Sequence, residues 1–243
     1  MKNLLLVLVI IMSLSVSCTS ENMENAEIVK RTLAEEKSKK ISKQLQNLGP
    51  ENPANAYDIA GKIHNDILDA YLSGNYEFNT IAQISQKIDS ISALNNDLLN
   101  LETNLPVNLQ EIQETVDSPQ IKLEQAMANS TMTRAAKICL FNFMTSILLW
   151  EKNEYPIIHQ LIISFETSVI YNTQFSNEEK RIILTTSSIA RYSSYYAKER
   201  KDKDWETSVG NRVGAVQGAV ANSSTAINRS ILIGLIIQKL QKK

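Results

Sequence analysis

Two histidines, two cysteines and a few clustered carboxylates are the side chains of this 243-residue chain with chemistry to offer. Asp58, His64, Asn65, Asp66 and Asp69 crowd one short stretch. On a helix, Asp58 and Asp69 stand about three turns apart and point in similar directions. Carboxylates beside an imidazole suit general acid–base work or a divalent cation. A helix with a solvated polar face calls for the same residues, and that plainer reading is preferred. His159 sits among apolar residues and reads as a core histidine. There is no HExxH, no Glu-x-x-His pair, no CxxC and no glycine-rich phosphate loop. Zinc-hydrolase, di-iron, dithiol and nucleotide chemistry therefore lack their motifs. No catalytic residue, metal or cofactor is expected.

Two further clusters carry a physical signal. Arg191, Tyr192, Tyr195 and Tyr196 form an aromatic patch late in one helical segment. Exposed, such tyrosines stack on sugar rings or meet a protein partner. Tyr192 and Tyr196 are one turn apart, and packing on a neighbouring helix is the preferred reading. Gly210, Gly214 and Gly218 recur every four residues beside Val209, Val213, Val216 and Val220. Each helix-interior glycine costs ~1 kcal/mol relative to alanine. Three in register imply a ridge that lets another helix approach closely. A membrane-inserting hairpin is the sharper alternative. The uncharged run between Arg212 and Arg229 is too short for it, because a span needs about 20 apolar residues. Cys139, inside Ile138-Cys139-Leu140-Phe141, reads as an inert buried thiol.

The N-terminus gives an address. Lys2 precedes an apolar run from Leu4 to Met12, and small residues from Ser13 to Ser17 lead to Cys18. That is the form of a cleaved export signal. Leu14-Ser15-Val16-Ser17-Cys18 resembles the lipobox of bacterial lipoproteins, with Ser15 where leucine is usual. The looser form, with an Asn-, Ile- and Ser-rich body, resembles lipoproteins of the Bacteroidota. The resemblance implies removal of residues 1–17 and lipidation of Cys18, with acyl chains on its sulfur and amine. Two or more chains give stable anchoring. Thr19, rather than an aspartate, follows the cysteine, which by the same resemblance implies an outer-membrane location. Asn52-Pro53, Tyr57-Asp58, Gly61-Lys62 and His64-Asn65 resemble stretches of exported Bacteroidota proteins. Asp89-Ser90-Ile91 matches their three-residue O-glycosylation pattern. With Cys18 lipidated, Cys139 stands alone and no internal disulfide forms. A net charge of −1 gives no drive toward nucleic acid.

Elements must position these groups, and seven glycines with five prolines favour long helices over a turn-rich sandwich. The expected order is a lipidated tether over 18–26, a charged helix over 27–48 and a helical bundle over 54–243, with a possible subdomain break near 104–130. Within the bundle, helices are expected over 54–72, 78–101, 109–116, from Pro119, and over 131–150. The second carries a seam of Ile81, Ile84, Ile88, Ile91, Asn95 and Leu98. The fifth is hydrophobic all round and is expected in the core. Tyr155-Pro156 opens another, with Ile157, Leu161, Ile162, Phe165 and Val169 inward. Ser176-Asn177-Glu178-Glu179 is a capping box that starts the next. The fold class is all-α, an irregular multi-helix bundle behind a lipoprotein signal. The function expected is non-enzymatic: a membrane-anchored cell-envelope protein that binds or scaffolds another envelope protein. The alternatives are a toxin- or immunity-like membrane-active protein using the glycine hairpin, and a cryptic enzyme or metal site around His64.

Overall fold

Polar residues that cap helices set the architecture of this chain. The structure is a computed structural model and describes residues 48–74, 76–78, 80–101, 103–199 and 209–238. Among them are ten α-helices and no strand: α1 Ile59–Leu72, α2 Ile81–Ser92, α3 Asn96–Leu99, α4 Leu109–Asp117, α5 Pro119–Asn129, α6 Arg134–Trp150, α7 Tyr155–Ile170, α8 Asn177–Glu199, α9 Val209–Ala221 and α10 Ser223–Ile236. The chain is an all-α multi-helix bundle. Cys18, the signal, the tether and the charged 27–48 segment lie outside the described residues. Thr80, Asn108, Thr133 and Asn222 each accept a main-chain N–H of the first turn that follows them. Such caps satisfy donors that a helix start leaves open. Pro119 stands at the first position of α5, where its missing N–H is no loss. The capping box forms in full. Ser176 N donates to Glu179 Oε2 at 2.8 Å, and Glu179 N donates to Ser176 Oγ at 3.2 Å.

Capping also corrects one expectation. The seam expected through 78–101 is interrupted after Ser92, and Asn95 is no seam residue. Its side chain accepts Leu98 N at 2.9 Å and starts the short α3. An asparagine that can close a new helix start competes with continuation of the old one.

The α9–α10 hairpin and α8 form the centre. Helix α8 packs on α1, α7, α9 and α10, and α10 also receives α1, α2 and α4. Helices α4 and α5 cover α9. These two arise from the stretch where a break was expected, and they belong to the single unit 49–243.

Polarity runs against the simplest expectation here. Helix α6, expected in the core, buries only Ala136, Leu140, Phe143, Met144 and Ile147. Ile138, Phe141, Leu148 and Leu149 lie outside. The serine- and threonine-rich α8 is the helix buried on nearly every face, from Arg181 through Ser194. Its hydroxyls carry their own partners: Thr186 Oγ1 donates to Ile182 O and Ser194 Oγ to Ala190 O, each at 2.8 Å. Satisfied in this way, a hydroxyl is cheap to bury. Its small size lets four helices crowd one axis. On α7 the inward face is Tyr155, Ile158, Ile162, Glu166 and Val169, so Ile157 is exposed rather than inward.

Candidate functional site

Three segments meet at one wholly buried guanidinium, Arg191 of α8. Its Nη2 donates to Asp58 Oδ1 at 2.5 Å and to Glu166 Oε1 at 3.3 Å. Asp58 stands immediately before α1, and Glu166 faces the core from α7. The second oxygen of Asp58 accepts the Tyr192 hydroxyl at 3.1 Å. Glu166 further accepts Asn52 Nδ2 at 2.5 Å, Asn55 Nδ2 at 3.1 Å and Ser187 Oγ at 2.9 Å. Below this node, Gly61 N donates to Ser188 Oγ at 3.1 Å, and that hydroxyl donates to Asp58 O at 2.9 Å. A Cβ at Gly61 would come within 2.7 Å of Ser188 O. Glycine is therefore what lets α1 lie against α8.

The electrostatics describe a tie rather than a reactive centre. Burial pulls the Arg191 guanidinium down, and Glu166 and Asp58 more than restore it, so it stays charged. Burial and the Asp58 carboxylate push the Tyr192 phenol up, so it remains a donor. Every carboxylate oxygen of the node accepts a hydrogen bond. A buried charge stripped of its partner costs several kcal/mol, so the node fixes how the 52–58 segment, α7 and α8 fit together.

The two polar clusters legible in the sequence thus partly merge. Asp58 of the first pairs with Arg191 and Tyr192 of the second, and Asn65 Nδ2 donates to Tyr192 O at 2.9 Å. The rest of the first cluster disperses. His64 is fully buried, with Nδ1 3.1 Å from Asn65 Oδ1, and burial lowers its pKa to about 4. Near neutral pH it is an uncharged core residue. Asp66 faces solvent and pairs with Lys62, which also holds Asp97. Asp69 is half-buried on the side of α1. No three His, Cys, Asp or Glu side chains converge on a metal position among the described residues.

The aromatic patch is corrected. Arg191, Tyr192 and Tyr196 are buried, and Tyr195 is half-buried with its ring edge-on to Tyr155 at 5.1 Å. Arg191 and Tyr192 meet Asp58 ahead of α1 and Tyr195 meets Tyr155 of α7, as the packing reading had it. His159 lies under Tyr155, ring centroids 5.7 Å apart, and burial together with the Arg191 charge lowers its pKa. Cys139 is half-buried, and burial raises its thiol pKa. Ser90 is exposed, its hydroxyl donating to Gln86 O at 2.8 Å.

Sequence reasoning missed Asn52, Asn55, Glu166, Ser187 and Ser188. Glu166 left a signal: an acid four residues after Ile162 and three before Val169, on the inward face of an apolar helix. The asparagines on either side of Pro53 left only the mark of a turn.

The glycine ridge is used inside the molecule. Gly210 faces Ile237 and Ile233, Gly214 faces Arg229 and Ile233, and Gly218 faces Thr225 and Ala226. Arg212 is buried and paired with Glu151, while Arg229 makes a two-pronged contact with Glu111 at 2.8 and 2.9 Å. No described helix is long and apolar enough to cross a membrane.

What remains outward is the free face of α6. Ile138, Phe141, Leu148 and Leu149 are exposed, with Asn142 and Thr145 between them. The four apolar residues fall on one side of the helix, with Asn142 and Thr145 on the same side. Ile138 and Phe141 also line an open groove of about 280 Å³ with Glu124, Met127 and Lys137. Comparison with protein-family models, curated proteins and solved structures finds no match to this chain.

Proposed function

We propose that this is a lipid-anchored cell-envelope protein with a non-enzymatic binding or scaffolding role, and that it engages another envelope protein through the outer face of α6. The observation that carries the reading is the exposure of Ile138, Phe141, Leu148 and Leu149 on one side of a surface helix, around the polar Asn142 and Thr145. Exposed apolar side chains gathered on one face, with polar residues among them, mark interaction sites. Such a face fits the apolar side of a second helix. Arg134 and Lys137 sit at the α6 N-terminus, where the helix dipole adds positive potential. The partner helix accordingly carries acidic residues at the end that lies over them. The lipobox-like Leu14–Cys18 supports attachment to the envelope through Cys18.

Two measurements test this reading. A clickable fatty acid fed to cells labels the wild-type protein and not the Cys18→Ala variant. A photo-crosslinker at position 149 captures an envelope protein, and Ile138→Glu with Leu148→Glu abolishes the capture. An unlabelled wild type sinks the anchor. Unchanged capture by the charged variant sinks the α6 interface.

A further inference from the structure

A cavity of about 270 Å³ opens between α2, α3, the residues Leu101, Thr103 and Asn104, and α10, and no residue of α6 lines it. Its far wall is fastened to α10. Asn222 Nδ2 donates to Thr103 O at 3.0 Å, and Leu105 N donates to Thr225 Oγ1 at 3.1 Å. On its floor stand Ser224 and Asn228, one turn apart on α10 and 2% and 3% exposed. Ser92 Oγ donates to Asn228 Oδ1 at 2.9 Å, which turns the Asn228 amide so that Nδ2 is left as a donor. Neither Asn228 Nδ2 nor Ser224 Oγ has a side-chain hydrogen bond among the described residues. Asn104 Oδ1, in the wall, is buried and likewise without a partner. Asp89 is an exposed residue at the rim, and its carboxylate makes no ion pair among the described residues. Partial burial of its carboxyl raises its pKa. Between these polar groups lie Ala93, Leu98 and Leu101.

A buried polar atom such as Asn104 Oδ1 is almost always hydrogen-bonded. Here it lies beside the open Asn228 amide, the Ser224 hydroxyl and the Asp89 carboxylate, round one opening with an apolar lining, which is the composition of a small-ligand site. Their types specify a complement. Asn228 Nδ2 and Ser224 Oγ offer donors to a carbonyl oxygen. Asn104 Oδ1 and the Asp89 carboxylate accept, and the unpaired carboxylate favours a positively charged donor. The apolar strip accommodates a short aliphatic side chain between the two. A protonated amine, an aliphatic branch and a carbonyl in that order are the first residue of a peptide.

We infer that the α2–α3–α10 cavity binds the free N-terminus of a short peptide with a small aliphatic first residue, its ammonium at Asp89, its first carbonyl at Asn228 and Ser224, and its side chain against Leu98 and Leu101. The size suits a ligand of two or three small residues, at the low end of ligand-pocket volumes. With so few atoms in contact, the affinity falls on the order of 0.1–1 mM. This site is independent of the α6 interface.

The test is titration of the folded protein with L-alanyl-L-alanine and with its N-acetylated form, followed by amide chemical shifts. Saturable shifts at residues 89–104 and 224–228 are expected with the free amine. A loss of tenfold or more in affinity is expected for the acetylated probe and for Asp89→Asn. Asp89 is at the rim, so this variant keeps the fold, and Ser224→Ala serves as a second variant for the carbonyl end. Absence of saturable shifts with the free dipeptide overturns the inference. So does equal binding of the acetylated probe, or equal binding by both variants.

Discussion

Replacing the three ridge glycines by alanine one at a time grades the α9–α10 contact along its length. At Gly218 a new Cβ would sit 2.5 Å from the Thr225 carbonyl carbon, with Ala226 main-chain atoms closer still. Those atoms belong to the first turn of α10, which Asn222 caps through Thr225 N at 2.7 Å. They have no rotamer with which to retreat. The hairpin must open by about 1 Å to restore ordinary contact, and such overpacking costs typically 1–3 kcal/mol. Distorting the Asn222 cap adds up to about 1 kcal/mol. Against this, alanine gains ~1 kcal/mol of helix propensity. The net for Gly218→Ala is a loss of about 2 kcal/mol, or roughly 4–8 °C in Tm for a body of this size. At Gly214 the obstacles at 2.8 Å are one carbonyl oxygen, Arg229 O, and one methyl, Ile233 Cδ1. At Gly210 the nearest is the movable Ile237 Cδ1 at 2.5 Å. There the propensity gain cancels the contact, and Gly210→Ala is near neutral. Urea denaturation of the three variants should rank them Gly218→Ala least stable, Gly214→Ala intermediate and Gly210→Ala closest to wild type. Gly218→Ala as stable as Gly210→Ala would refute the claim that backbone proximity is what the ridge provides.

Other perturbations separate the remaining contributions. Arg191→Met strands Glu166 in the core and should cost about 3–5 kcal/mol, whereas the Arg191→Met/Glu166→Met double variant should recover part of that loss by chemical denaturation. Burial raises the pKa of Glu179, but bonds from Thr133 and Ser176 overcome it and hold it at about 2, so its stabilising contribution is full above pH 5 and disappears as pH falls toward 2. Glu179→Gln should therefore narrow the gap to wild type on acidification in pH-dependent denaturation curves. His64 acts in a different window: buried neutral with a pKa of about 4, it lets the unfolded chain bind a proton first, so stability falls by about 3 kcal/mol between pH 6.5 and 4. His64→Gln should flatten that slope, whatever its effect at pH 7. Ile138→Gln with Leu149→Gln should change stability by no more than about 0.5 kcal/mol per site, since both are exposed, whereas Leu140→Ala on the buried side of α6 should lose about 2–5 kcal/mol in the same assay.

Local signals in the sequence were the ones that held. The capping box at Ser176, Pro119 as a helix start and the glycine ridge each depend on residues within a turn or two of one another, and each forms as expected. The failures share a different cause. Nothing in the residues around Asn95 announces whether its side chain will face a seam or close a new helix, because both states suit an asparagine. On α7 Ile162 and Val169 turn inward as expected, but Ile158 takes the buried place expected of Ile157, because the two are alike in the sequence. Only Tyr155, His159 and Glu166, drawn to Arg191 and Tyr195 from another helix, decide the rotation. The Arg191 node itself spans residues 52 to 191. Asp58 and Arg191 were visible as members of two unrelated clusters, and only the fold puts 2.5 Å between them.

The exchange of places between α6 and α8 follows from what limits packing in a bundle with a crowded centre. Helix α8 touches four other helices, so its side chains must be small on most faces, and serine, threonine and alanine meet that need. Their hydroxyls bond either to their own backbone, as Thr186 and Ser194 do, or across to Glu166, Asp58 and Ser223, as Ser187, Ser188 and Thr185 do. The larger apolar residues of α6 would have filled such a position too well and pushed the neighbours apart. They sit where one side can be packed and the other left open. A count of apolar residues therefore points to the wrong helix, while side-chain volume points to the right one. What α6 keeps outside is then a set of apolar side chains, Ile138, Phe141, Leu148 and Leu149, that the crowded centre had no room for.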